Sequence, residues 1–341
     1  MSKRLFLALA ALLLTVSATI AQEKIHRSRF FTEEGVITMD LSTDMKRLVT
    51  VKKADDYQPA TVTMAFPDST KATAVMRLTA RGQFRRENCF VPSIKLDFND
   101  TTSPLATLKK LKLVVGCGTS GDDEKLILKE YLCYKIYNTL TPMSFRVRLL
   151  RINYTDTRKK IKSYSQYGFL IEDVDDLAKR NECREVDDKP YGQERTDREQ
   201  MTLVSIFQYM IGNTDWSVPP YHNIKLMRPK TDSVSFPYAI PYDFDFCGLV
   251  NAEYATPNEQ LEIKTVTERL YRGFPRTMPE LQRVLDTFRV HKEEIKNLVS
   301  NFTVLDQRNR RDVTSYINEF YEIIEDRNLV QRNFIANARR E

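Results

Sequence analysis

The sequence predicts an α+β fold with a strand-rich front and a helical back. Two patterns carry that expectation. Short β-branched and apolar segments with period-two alternation recur through the first half, and an apolar stripe at helical spacing lies near the end. Segments 35–41, 60–66, 72–80 and 93–98 belong to the first pattern. In the third of them Val75, Arg77 and Thr79 alternate with Met76, Leu78 and Ala80. Segment 111–115 continues the series until Gly116-Cys117-Gly118 breaks it. Asp122 or Asp123 is suited to cap a helix running to about 139, with Leu128, Tyr131, Leu132 and Lys135 at helical spacing and Pro142 as its stop. Strands are expected over 144–152 and 167–171, the second ending in an acidic run at 172–176. A polar linker over 180–198 precedes a buried helix at 201–211. Two short strands, 223–227 and 237–245, then flank a turn at 230–235. From 258 onward the pattern reads as helical. There Val313, Tyr316, Ile317, Phe320, Tyr321 and Ile324 form the stripe, whose ordinary explanation is core packing. No internal repeat or low-complexity segment appears.

The start of the chain reads as a cleavable export signal. Lys3 and Arg4 precede an apolar run at 5–16, and a small-residue stretch ends at Thr19-Ile20-Ala21 before Gln22. That run is short for a bilayer span, so the expectation is a leader over 1–21, no transmembrane segment in the mature chain, and a periplasmic, secreted or cell-surface location. The remainder is long enough for one large domain or two coupled lobes. Hydrophobic residues make up 42% and charged residues 29%, an ordinary globular balance. The net charge of +6 is mild and interleaved with acids, which gives no argument for nucleic-acid binding. Cys89, Cys117, Cys133, Cys183 and Cys247 make no C-x-x-C spacing, so a zinc site is not indicated. In an oxidising compartment one or two disulfides are allowed, and an odd count leaves a thiol over. Cys89 and Cys117 flank neighbouring strands and are the preferred pair, with buried small apolar residues as the alternative.

One stretch departs from ordinary globular sequence. Ile211-Gly212-Asn213-Thr214-Asp215-Trp216 is followed by Tyr221-His222-Asn223, then by Tyr242-Asp243-Phe244-Asp245. If the two strands pair as a hairpin, Asn223 meets Asp243 and Asp245, whose carboxylates share a face under period-two geometry. Oxygen donors of this kind suit Mg²⁺, which keeps waters and phosphate oxygens in its shell. Phosphoryl transfer then needs a cation on the phosphates and a carboxylate orienting the hydroxyl. The competing reading is that the aspartates cap a turn. His222 reads as a hydrogen-bonded structural residue, and no Ser-His-Asp arrangement is suggested.

At these residues the sequence resembles the spore-coat protein H (CotH) kinase family, exported proteins of protein-kinase-like fold. The resemblance runs from about Arg81 to Gly248 through Arg81-Gly82, a strand lysine, Asp215 to Asn223 and the Asp-Phe-Asp element. It implies a two-lobed protein-kinase-like fold. A leader over 1–21 and a β-rich extension over 22–80 would precede an N-lobe over 81–176 and a helical C-lobe over 177–341. It also implies Mg²⁺ and ATP as cofactors, with transfer to hydroxyls of a protein substrate. Asp215 would be the catalytic carboxylate. Asn223 and Asp243 would be metal ligands, with Asp245 as a second acid. Lys95 would pair with the phosphates and with Glu130 or Glu124. Glu172 falls at the inter-lobe hinge, and Arg81 joins the nucleotide site. No Gly-rich phosphate loop is present. Arg81, Arg85 and Arg86 are candidates for that role, or a solvated strand face. The alternative function is a catalytically inactive binding or surface-assembly protein. A glycan-processing protein is a weaker third reading, prompted by Asp175-Asp176.

Overall fold

A computed structural model describes residues 25–187, 190–219 and 221–339. The leader over 1–21 lies outside them. In chain order the elements begin with α1 (Arg27–Phe30), β1 (Ile37–Thr43), α2 (Met45–Val51), β2 (Gln58–Ala65), β3 (Lys71–Arg81), α3 (Gln83–Asn88), β4 (Ser93–Asp97) and β5 (Lys110–Val114). The long α4 (Gly121–Leu140) then leads to β6 (Val147–Asp156) and β7 (Tyr164–Ile171). After these come α5 (Val174–Arg180), β8 (Cys183–Glu185), α6 (Arg198–Ile211), β9 (Ile224–Pro229) and β10 (Tyr238–Pro241). The chain finishes with α7 (Met278–Val290), α8 (Lys292–Ser300), α9 (Gln307–Glu325) and α10 (Arg327–Val330).

Seven strands close into a barrel in the order β1-β2-β3-β4-β5-β7-β6. Neighbours are antiparallel except at the seam, where β1 runs parallel to β6 and Ile37 faces Leu150. A closed mixed barrel corrects the two-lobed kinase-like expectation. Strands read as a separate extension over 22–80 supply three barrel staves, hydrogen-bonded in register with β4 and β6. The physical cause is the seam, a pairing between segments more than a hundred residues apart that local periodicity cannot reveal. The α+β class itself agrees with the structure.

Period-two alternation builds the barrel interior. Ala72, Ala74, Met76, Leu78 and Ala80 of β3 point inward, as do Ile94 and Leu96 of β4 and Leu111 and Leu113 of β5. β6 and β7 are buried on both faces. Leu150, Ile152 and Leu170 fill the barrel, while Leu149, Phe169 and Ile171 pack against α4 and the helices beyond. They therefore form a shared wall between two cores. The stripe on α9 is core, with Val313, Ile317, Phe320, Tyr321 and Ile324 buried.

Three local expectations need correction. Ser120 caps α4, and Asp123 closes the capping box from inside the helix instead of serving as the cap itself. Helix does not begin at 258: residues 251–277 are irregular, and a Thr277–Glu280 capping box starts α7. β10 ends at Pro241, because Asp243 adopts a left-handed φ of 65° that no strand continues through. Cys89 and Cys117 form a disulfide.

Candidate functional site

The site is assembled where β3 leaves the barrel. Gly82, at φ 72°, turns the chain from β3 into α3 and brings Arg85 back over the barrel rim. Arg85 donates through Nη1 to the Val115 carbonyl at 2.8 Å and through Nη2 to Asp245 Oδ2 at 3.2 Å. Tyr254 Oη donates to the same carboxylate oxygen at 3.1 Å. Asp245 is therefore a buried, neutralised anchor that clamps the Asp-Phe-Asp segment to the barrel.

Asp243 has the opposite surroundings. It stands in the wall of a cleft beside Arg81, Lys112, Tyr134 and Lys225, with Phe145, Ile171, Val174 and Tyr242 as the apolar part of the lining. Its side chain is open to the cleft mouth, while protein atoms surround it on the other sides. Burial and then the Asp245 charge push its carboxyl up to about 6, against the pull of Arg81 and Arg85. The Tyr134 hydroxyl accepts from the Asp243 N–H at 2.8 Å and fixes the backbone of that turn. Tyr221, Asn223 and Asp243 all have positive φ, at 69°, 53° and 65°. Such conformations are uncommon outside glycine.

Three cations converge on this cleft. The Lys112 ammonium is held below its usual range first by burial, then by Arg81 and Lys225, with Asp243 and Asp173 opposing. Arg81 is likewise lowered by burial, and its Nε is a buried donor with no hydrogen-bond partner among the described residues. Lys225 is paired with Glu185 at 2.6 Å. Arg81 and Lys112 therefore repel one another at the cleft, where Asp243 and Asp173 are the acids that face Lys112.

Glu130 of α4 is 1% exposed, and neither of its carboxylate oxygens has a hydrogen-bond partner among the described residues. Burial, then Asp245 and Asp243, drive its carboxyl well above the ordinary range, with Arg85 opposing. The Lys95–Glu130 pairing is absent, and Glu124 is instead ion-paired with Arg151. Lys95 lies on β4 between Thr79 and Lys112 in register, one strand away from the cleft. Lys112 is the strand lysine that faces Asp243.

Asp215 lies beyond the α6 C-cap, where Gly212 takes a left-handed φ of 67°. Its Oδ1 is 2.7 Å from His222 Nε2, and Asn223 Nδ2 donates to its Oδ2 at 3.0 Å. The β9–β10 hairpin expected from sequence is present, with Tyr242 N–H donating to the Asn223 carbonyl at 3.1 Å. That pairing carries Asp215, His222 and Asn223 to the Asp243 end, and the Asp215 charge contributes to raising Asp243. Glu172 lines the cleft, but Arg180 binds both of its oxygens, at 2.9 and 3.0 Å. The structure thus gathers Arg81, Glu130, Asp215, Asn223, Asp243 and Asp245, and leaves Lys95 aside. Sequence reading missed Lys112, Lys225 and Tyr254. The alternation of Lys110 and Lys112 with Leu111 and Leu113 was the available signal for the first.

Among the described residues, no group of three or more His, Cys, Asp or Glu side chains is arranged to hold a metal ion, and no helix is long and apolar enough to cross a membrane. Comparison with protein-family models gives no matching family, and comparison with curated proteins gives no match.

Proposed function

We propose that the cleft binds the phosphates of a magnesium–nucleoside triphosphate, and that the chain is an exported phosphotransferase acting on protein hydroxyls. The observation that carries this reading is the convergence of Arg81, Lys112 and Lys225 on a cleft where they face Asp243 and Asp173, with Glu172 held by Arg180 and Lys225 by Glu185. A triphosphate relieves the mutual repulsion of those cations and gives the orphaned Arg81 Nε an acceptor. The apolar lining of Phe145, Ile171 and Val174 suits a planar base. The reading rests on these residues and not on a kinase-like fold.

The acids fit a hard divalent cation. Glu130 has two unpartnered carboxylate oxygens, and Asp243 is raised to about 6 by burial and by Asp245, so a divalent cation there would favour the ionised forms of these acids. Mg²⁺ is commonly held by one or two carboxylates plus phosphate oxygens, without an all-protein cage. Asp243 and Asn223 would hold it, and when bound it supplies charge neutralisation on the transferring phosphoryl group. Asp215, oriented by His222 and Asn223, is placed to accept from a substrate hydroxyl. Export is supported by the leader-like sequence at 1–21 and by the Cys89–Cys117 disulfide, a bond typical of oxidising compartments.

A second reading, a catalytically inactive nucleotide-binding or surface-assembly protein, is favoured by one observation. Asp245 is already neutralised by Arg85 and Tyr254, which leaves Asp243 as the one acid of the Asp-Phe-Asp element facing the cleft. Transfer of labelled γ-phosphate from Mg–ATP to an acceptor protein separates the two. Wild type is expected to transfer label, and Asp215→Asn to reduce the rate by roughly 10²–10⁴-fold. Undiminished transfer by Asp215→Asn overturns the catalytic assignment, and binding without transfer by wild type favours the second reading.

A further inference from the structure

Two thiols outside the cleft chemistry face each other in the core. Cys133 Sγ and Cys247 Sγ are 3.8 Å apart, and both residues are 0% exposed. They belong to different parts of the site's framework. Cys133 sits on α4, one turn after Glu130, and Cys247 follows the Asp243-Phe244-Asp245 segment. The remaining free thiol, Cys183, is committed elsewhere, with its Sγ donating to the Asn181 carbonyl at 3.2 Å.

We infer that Cys133 and Cys247 are the reduced form of a second native disulfide, which ties the Asp-Phe-Asp segment to α4. The sulfurs already point at one another across the interface. Reaching a bond length of about 2.05 Å requires them to close by about 1.8 Å. The chain already carries one bonded pair, Cys89–Cys117. Its five cysteines then divide into two bridges and one thiol, Cys183.

The chemistry is thiol–disulfide exchange with a disulfide-bearing oxidant, either a protein thiol oxidase or a small-molecule disulfide. One cysteine thiolate attacks the oxidant's sulfur and releases a thiol. The second thiolate then attacks the mixed disulfide and releases the other. Two protons and two electrons leave the cysteine pair, and the oxidant gains both as two thiols. Both sulfurs are buried once α4 is packed, so the exchange belongs to folding in the oxidising compartment, before Cys247 is covered.

The test uses the whole mature chain recovered by secretion through an oxidising compartment. It is unfolded in guanidinium without reductant, alkylated with iodoacetamide, digested and analysed by mass spectrometry. The expected result is label on Cys183 alone, with a cross-linked Cys133–Cys247 peptide that disappears on reduction. Label on Cys133 and Cys247 at the level of Cys183 overturns the inference. A Cys183→Ser variant is expected to give no label at all; label on Cys133 and Cys247 in that variant contradicts it equally. Chain made reduced carries five thiols and, refolded with oxidised glutathione, is expected to lose four of its five labels, each of two disulfides consuming two thiols. This outcome is independent of nucleotide binding, so it stands or falls apart from the phosphotransferase reading.

Discussion

The inside and outside of the same barrel strands follow opposite physical rules. Inward, β3, β4 and β5 present Leu78, Ile94, Leu96 and Leu113, all 0% exposed, and their stability comes from apolar burial alone. Outward, one residue along, β3 presents Arg81 and β5 presents Lys112, both facing a cleft where burial works against their charge. Because side-chain direction alternates, a single register places the apolar core on one face and the cleft-lining cations Arg81 and Lys112 on the other. The interior therefore serves stability, and the cleft retains electrostatic cost that a bound anion would offset.

That contrast breaks if an interior change alters the cleft as much as it alters folding. Leu96→Ala removes a fully buried side chain facing the barrel interior, and about 2–5 kcal/mol of stability should be lost in denaturant unfolding. Nucleotide affinity in the folded protein should stay within about twofold of wild type, since Leu96 faces away from the cleft. A tenfold loss of affinity would show that the two faces are mechanically coupled.

A smaller effect sharpens the comparison from the cleft side. Asp243 is raised from 3.8 to about 6, so the folded state holds its proton more tightly than the unfolded state does. Its contribution to stability is thus fully present below its unfolded value and fades as pH rises through about 6. Asp243→Asn removes that slope. Wild type should gain stability relative to Asp243→Asn on moving from about pH 7.5 to about pH 4.5, as measured by denaturant titration at both values. Carboxylates held low, such as Glu280 at about 2 beside Arg198, act in the opposite direction but do so in both proteins, so they cancel in the difference. Parallel pH profiles for the two proteins would mean that the surroundings of Asp243 do not raise its carboxyl in the folded state.

Strand positions were largely legible because the barrel staves alternate cleanly, and the turn-linked Asn223 and Asp243 were legible because β9 and β10 form a local hairpin. Barrel closure was not. It depends on the parallel β1–β6 seam, which links distant segments whose local patterns are identical in an open sheet and in a closed one. Which strand lysine lines the cleft was not legible for a related reason. Lys95 and Lys112 are cross-strand partners on the same face, and only the placement of the Asp243 turn decides which of them meets the acid. Glu130 is expected from its helix position to pair with Lys95, but its isolation is not foreseeable, because Arg85 satisfies Asp245 through a contact 160 residues away in sequence.

The central claim is that Lys112, together with Arg81 and Lys225, holds the phosphates of a magnesium–nucleotide. Calorimetric titration of Mg–ATP into wild type, Lys112→Ala and Lys95→Ala tests it directly. Wild type and Lys95→Ala should bind alike and Lys112→Ala about tenfold more weakly, a loss of about 1.4 kcal/mol. Absence of binding by wild type at millimolar nucleotide, or a loss confined to Lys95→Ala, would contradict it.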